Sequence, residues 1–214
     1  YQALQANTTG WHNSAYGFES LYSNTTGRYN LAFGYKALYS QTIALYNTGF
    51  GYEALYSNIS GEENTAFGVQ ALRATTGSNS KATAVGFHAL LSNTTGDQNT
   101  AVGHSSLRTN VGGDYNVGLG QSSLYSNASG SSNTATGYTA LFRNTSGSNN
   151  TATGFYALKL NTTGNGNVAA GYQALQTNTT GSNNTAIGYE ADVAVNNLTN
   201  ATAIGNGAIV DSSN

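Results

Sequence analysis

Asn133-Thr134-Ala135-Thr136-Gly137-Tyr138-Thr139-Ala140-Leu141-Phe142-Arg143-Asn144-Thr145-Ser146-Gly147-Ser148-Asn149 is followed at once by Asn150-Thr151-Ala152-Thr153-Gly154-Phe155-Tyr156-Ala157-Leu158, the same pattern begun again. A fixed period outranks local propensity, because a repeat missed is a fold misread. Followed outward, the glycine of Asn-Thr-Ala-x-Gly falls at Gly17, Gly34, Gly51, Gly68, Gly86, Gly103, Gly120, Gly137, Gly154, Gly171, Gly188 and Gly205. Ten of the eleven intervals are 17 residues, and Gly68 to Gly86 is 18. Tyr1 to Gly10 supplies the back of one more copy, so the chain reads as an excerpt of a longer fibre. Composition shifts nowhere, which makes residues 1–214 a single repeat domain, with 189–214 as C-terminal transition coils.

Each repeat holds two short runs, Asn-Thr-Ala-x-Gly and Tyr-x-Ala-Leu-Tyr-Ser, closed by Asn-Thr-Thr-Gly turn signals. Runs this short are not helices, and their β-branched and aromatic content suits strands. A 17-residue period is also shorter than most helical repeats. The expectation is an all-β fold: a parallel β-solenoid, or β-roll, of about twelve coils in which each strand pairs with its copy one repeat away.

The alignment columns assign faces. Four residues after the glycine stands Leu in ten copies: Leu21, Leu38, Leu55, Leu72, Leu90, Leu107, Leu124, Leu141, Leu158 and Leu175, with Asp192 and Ile209 as exceptions. That column is the expected core ladder. The residue before the glycine, from Tyr16 and Phe33 to Ile187 and Ile204, is mostly apolar and is expected inward too, with the Thr two before it. Two columns stay small: Ala or Gly two before the glycine, Ala or Ser three after it. By alternation these lie on the opposite, outward face. Ala84, Ala101 and Ala135, with Ala89 and Ala140, are then the candidate contacts between chains of a trimer. The recurring glycine marks a positive φ or a bulge. Asn stands four before it in ten copies, which suits a ladder of stacked amides.

Composition narrows function. Of 214 residues only 7 are basic and 9 acidic, with a net charge of −2, which argues against nucleic acid. Zero Cys removes disulfides, Cys-zinc sites and thiol catalysis. No apolar run nears the ~20 residues that cross a bilayer, so this segment is not expected to insert in a membrane. Disorder would need few aromatics, and here there are 15 Tyr, 7 Phe and one Trp.

Chemistry is hard to find. The acids are scattered, with Glu19, Glu53 and Glu190 sharing the column two after the glycine, and Glu62, Glu63, Asp97 and Asp114 in turns. His12, His88 and His104 occupy three different columns, and no Gly-x-Ser-x-Gly elbow occurs. A non-enzyme with no catalytic residue, metal or cofactor is expected. Aromatics follow the glycine in eight copies, and Tyr22, Tyr39, Tyr56 and Tyr125 stand five after it with Phe142. These four Tyr are candidate surface aromatics: they pack as ladders along the stack, or they present rings to sugars. Sequons such as those at Asn24, Asn93 and Asn161 are read first as turn residues.

Asn184-Thr185-Ala186-Ile187-Gly188 and Ala201-Thr202-Ala203-Ile204-Gly205-Asn206-Gly207-Ala208 resemble the YadA-like head repeats of trimeric autotransporter adhesins, a left-handed parallel β-roll built on Asn-Ser-Val-Ala-Ile-Gly. The longer period with Asn-Thr-Thr-Gly in the turn is similar to repeats of bacterial and phage tail-fibre-domain proteins. The resemblance covers the whole chain, departing in its longer turn and in the aromatics before the first four glycines. It implies a homotrimer, a cell-surface or virion location, an extracellular adhesive or host-recognition role with a glycan or protein receptor, and no catalytic residue. Two other readings come from the residues: an ice-binding solenoid carried by turn pairs such as Thr94-Thr95 and Thr162-Thr163, and a ligand-free structural filament.

Overall fold

A computed structural model describes residues 2–77 and 81–213. The extra residue of the long repeat falls in 74–81, of which 78–80 lie outside the described residues. The strands are β1 (Ser14–Tyr16), β2 (Leu31–Phe33), β3 (Thr48–Phe50), β4 (Thr65–Phe67), β5 (Thr83–Val85), β6 (Thr100–Val102), β7 (Val117–Leu119), β8 (Thr134–Thr136), β9 (Thr151–Thr153), β10 (Val168–Ala170), β11 (Thr185–Ile187), β12 (Asp192–Val193), β13 (Thr202–Ile204) and β14 (Ile209–Val210). β1 to β11 and β13 form one twelve-stranded sheet in chain order, and β12 pairs with β14. Every pairing is parallel and in register, as in Ala135↔Ala152. The chain is thus a parallel β-solenoid of about eleven turns between twelve stacked strands. No helix occurs among the described residues.

The second run of each repeat is not the strand expected. In most coils it is a turn, because its second and fourth residues take left-handed backbone, as at Thr139 (φ 50) and Leu141 (φ 53). A third left-handed residue, Asn149 (φ 60), precedes the next strand. Each such residue costs roughly 1–2 kcal/mol. Backbone hydrogen bonds between coils offset that strain: Leu141 N–H donates to the Ala157 carbonyl at 3.0 Å, and Thr139 N–H to the Gln121 carbonyl at 3.0 Å. Two left-handed residues one apart also turn neighbours to the same side. Ala140 and Leu141 are adjacent in sequence, and both are 0% exposed. Period-two alternation belongs to extended chain, so the small column after the glycine does not oppose the leucines.

All ten Leu of the core ladder are fully buried, as expected. The rest of the core corrects the expectation. In the strands the middle residue, the small one, points in, and its two neighbours point out. Tyr16, Phe33, Phe50, Phe67, Val102, Leu119, Thr153, Ile187 and Ile204 are exposed, and Val85, Thr136 and Ala170 are half-buried. Strand and turn lie so close that each coil admits one Leu and two small residues. A Phe in the strand's middle would not fit; outside, it stacks on its copy.

Two buried amide ladders complete the interior. Asn144 Nδ2 donates to Asn127 Oδ1 of the preceding coil at 2.8 Å, and to the Gly147 carbonyl of its own turn at 2.8 Å. The second ladder is the expected one, four before the glycine: Asn150 N–H donates to Asn133 Oδ1 at 3.0 Å, and Asn133 Nδ2 reaches the same Gly147 carbonyl at 2.8 Å. A buried amide is tolerated when its hydrogen bonds are made, and where Asn follows Asn from coil to coil the repeat itself supplies the partners. The motif glycine does sit at positive φ, 132° at Gly137, where a Cβ would run into the Gly154 carbonyl.

The last coils change phase. Asp192 replaces Leu, the turn straightens into β12, and Val193 is buried (3% exposed) while Asp192 is half-buried. Ile209, in the same column, is 67% exposed.

Candidate functional surfaces

Ala84, Ala101 and Ala135 are the inward residues of β5, β6 and β8, and Ala89 and Ala140 lie beside the core leucines; all five are 0% exposed within one chain. They therefore cannot be the contact between chains. The face that remains bare is the opposite one.

That face is the outward side of the twelve-strand sheet. Each of its strands shows two side chains, the first and third, and none of these is charged. Toward the first coils it is aromatic, with Tyr16, Phe33, Phe50 and Phe67 stacked at centroid distances of 4.9, 4.7 and 4.6 Å. Further along it is β-branched, as in Thr83 with Val85 and Thr134 with Thr136. Around the glycine corner runs a second exposed column, where Tyr138, Phe155, Tyr172 and Tyr189 stack at 5.1, 5.3 and 5.0 Å.

Tyr22, Tyr39, Tyr56 and Tyr125 are half-buried. Tyr22–Tyr39 and Tyr39–Tyr56 are parallel stacks at 5.3 and 5.2 Å, and Tyr125 stacks on Phe142 at 5.1 Å. Guanidinium groups close the ladder ends: Arg73 lies over Tyr56 at 5.1 Å, and Arg108 over Tyr125 at 5.6 Å. Rings stacked this way cover one another's faces, and the outward parts are edges and hydroxyls. A sugar docking on a ring face would have to displace a neighbouring ring or an arginine.

Beside the Tyr22 ladder lies a polar relay that sequence reasoning missed. Arg73 Nε donates to Glu53 Oε2 at 2.7 Å, and Gln70 Nε2 donates to the same oxygen at 2.9 Å. Glu53 can only accept, which orients the Gln70 amide so that its Oε1 faces His88 Nε2 at 2.8 Å. That nitrogen therefore carries a proton. Burial alone would raise the Glu53 pKa, but the hydrogen bonds from Arg73 and Gln70 hold it below the ordinary value. His88 is pushed down by burial and by the charges of Arg108 and His104. The signal was available: Glu53, Gln70 and His88 are polar residues in one column of three successive coils. In the same column, Glu19 pairs with Lys36 at 3.4 Å.

In the turn pairs the first threonine is engaged with the next coil, while second residues such as Thr26 and Thr163 are exposed. Thr94 Oγ1 donates to the Val111 carbonyl at 3.1 Å, and Thr162 Oγ1 to that of Thr179 at 2.9 Å. The sequon residues Asn24, Asn93 and Asn161 are 0% exposed members of the first amide ladder. Trp11 joins Tyr29 edge to face at 4.9 Å, under Arg28 at 5.3 Å. No protein-family model matches the chain, and no curated protein or solved structure matches it either.

Proposed function

We propose that the chain is a segment of an extracellular fibre of three copies that spaces and presents an adhesive or host-recognition surface at a cell or a virion. The observation that carries this reading is the charge-free outward face of the sheet. Eleven strand spacings of ~4.8 Å by three residues of strand give on the order of 500 Å², before the rings around the corner are added. Of the face's 24 outward side chains 13 are apolar and the other 11 are Thr or Ser. Monomers rarely expose apolar patches above a few hundred Å², and a standard interface takes about 800 Å² per partner. Three copies meeting about an axis would bury this face and leave no identical patch free for open-ended growth. The number three follows the resemblance to trimeric adhesin heads.

Light scattering tests the assembly. The chain should be trimeric at micromolar concentration, and Val102→Lys with Leu119→Lys should dissociate it, while Ser129→Lys on a turn should not. A stable monomer refutes it. A glycan array and host-cell binding then test the role. Ice shaping by a chain silent on both would overturn adhesion in favour of ice binding.

A further inference from the structure

The coil between Gly68 and Gly86 has 18 residues where the others have 17, and the odd length coincides with a change inside the rod. Thr75 occupies the place of the first-ladder Asn, and Ala82 that of the second. Thr75 Oγ1 turns back to its own Leu72 carbonyl at 3.1 Å, so no amide joins Asn58 to Asn93. Ala82 N–H still donates to Asn64 Oδ1 at 3.0 Å, but Ala82 offers no oxygen to the coil above. Both buried ladders stop at one coil.

The aromatic stacks end there as well. Phe67 is paired in register with Val85, and the Tyr39–Tyr56 stack closes on Arg73. A contrast shows how unlike the others this coil is. At Gln41 the first ladder is also interrupted, because Gln41 Nε2 turns to the Ala44 carbonyl at 3.2 Å and leaves Asn24 Oδ1 without a partner. Yet the second ladder runs through that coil, with Asn47 N–H on Asn30 Oδ1 at 2.9 Å, and so does the Phe33–Phe50 stack at 4.7 Å. Between Asn13 and Asn184, the 69–86 coil is the one that lacks both amides. Among the described residues, backbone hydrogen bonds still cross it, in the pairing of β4 with β5 and in turn amides such as Leu72 N–H on the Ala89 carbonyl at 3.0 Å, together with Leu72 against its neighbours and the surface relay through Gln70.

From this we infer that the 69–86 coil is a built-in joint, dividing the rod into two cooperative blocks that open and unfold separately. In a stacked array each coil is held only by its neighbours, so cooperativity ends where the interface between neighbours is weakest. The inference goes beyond adhesion and does not depend on it.

Peptide-resolved hydrogen exchange on the full assembled chain tests it. Amides of 69–86 should exchange at least about tenfold faster than those of the matching coil 120–137. Trp11, the single Trp, reports the first block, so its fluorescence should unfold in urea at a different midpoint from the far-UV signal of the whole. Asn127→Thr with Asn133→Ala should create a second fast-exchanging coil at 120–137. Uniform protection along the rod with coincident urea curves overturns the joint. An unchanged 120–137 coil in the double variant overturns the role of the ladders in it.

Discussion

Gly130 lies beneath the carbonyl of Gly147 so closely that a Cβ on it would overlap that oxygen and sit 2.6 Å from Asn127 Oδ1. The same turn position carries Ala44 in another coil, and there the ladder residue three before it is Gln41 instead of Asn. The longer side chain carries its amide oxygen elsewhere, onto the Nδ2 of Asn47 at 3.0 Å and of Asn58 at 3.3 Å. Gly130→Ala should therefore destabilise by about 1–3 kcal/mol, as overpacking does. Adding Asn127→Gln should recover part of the loss, with a coupling of at least about 0.5 kcal/mol in a double-mutant cycle of urea unfolding. Strict additivity would mean that Gln41 and Ala44 are unrelated.

Leu90→Ala should cost about 2–5 kcal/mol in thermal or urea unfolding, because it removes the largest buried side chain of a coil that has no other to fill the space. Thr94→Ala, four residues on, should cost no more than about 1 kcal/mol, since its hydroxyl makes one hydrogen bond at the rim. Equal effects at the two positions would contradict the inward and outward assignment.

The leucines were legible because a large apolar residue recurring every 17 positions is what a stacked core requires of each coil. The strand phase was not. Hydrophobicity ranks Phe67 above Ala66, and a reader of strands puts the larger one inside. Here coil thickness overrules hydrophobicity, and thickness is set by left-handed residues such as Gln70 and Leu72, whose side chains carry no mark of that backbone. The same cause hid the bare outward face of the sheet: Ala101 looks outward only as long as Leu107 and Val102 are both assigned inward. The first amide ladder was hidden differently, since turn chemistry alone accounts for an Asn in a turn with Gly.

Ala101→Phe should now fail for a reason internal to one chain. Its side chain points between strand and turn at 0% exposure, and a ring there should cost about 3 kcal/mol or more, or prevent folding. Thr100→Phe, on the outward side of β6, should leave the melting temperature of a dissociated chain nearly unchanged. The reverse ranking would restore the small columns as the surface of association.

His88 supplies a pH dependence with a definite sign. The unfolded imidazole takes up its proton near 6.5, while burial, Arg108 and His104 lower the folded value. As pH falls, the unfolded chain protonates first, so stability present above that range is lost as pH drops through it toward the folded pKa. Between about pH 7.5 and 5.5 the melting temperature should fall, and His88→Gln should flatten the slope. A slope unchanged in His88→Gln would assign the effect to other groups.

The two buried amide ladders run the same way: in each, the later coil donates and the earlier coil's Oδ1 accepts, as with Asn144 on Asn127 and Asn150 on Asn133. Side-chain dipoles that would cancel in a random interior are aligned head to tail instead, as peptide dipoles are in a helix. The ladders therefore lay a directional dipole along a rod whose net charge is only −2. A row of such rods lying side by side, all pointing one way, would feel that alignment as a mild mutual repulsion, and rods lying head to tail would feel it as attraction.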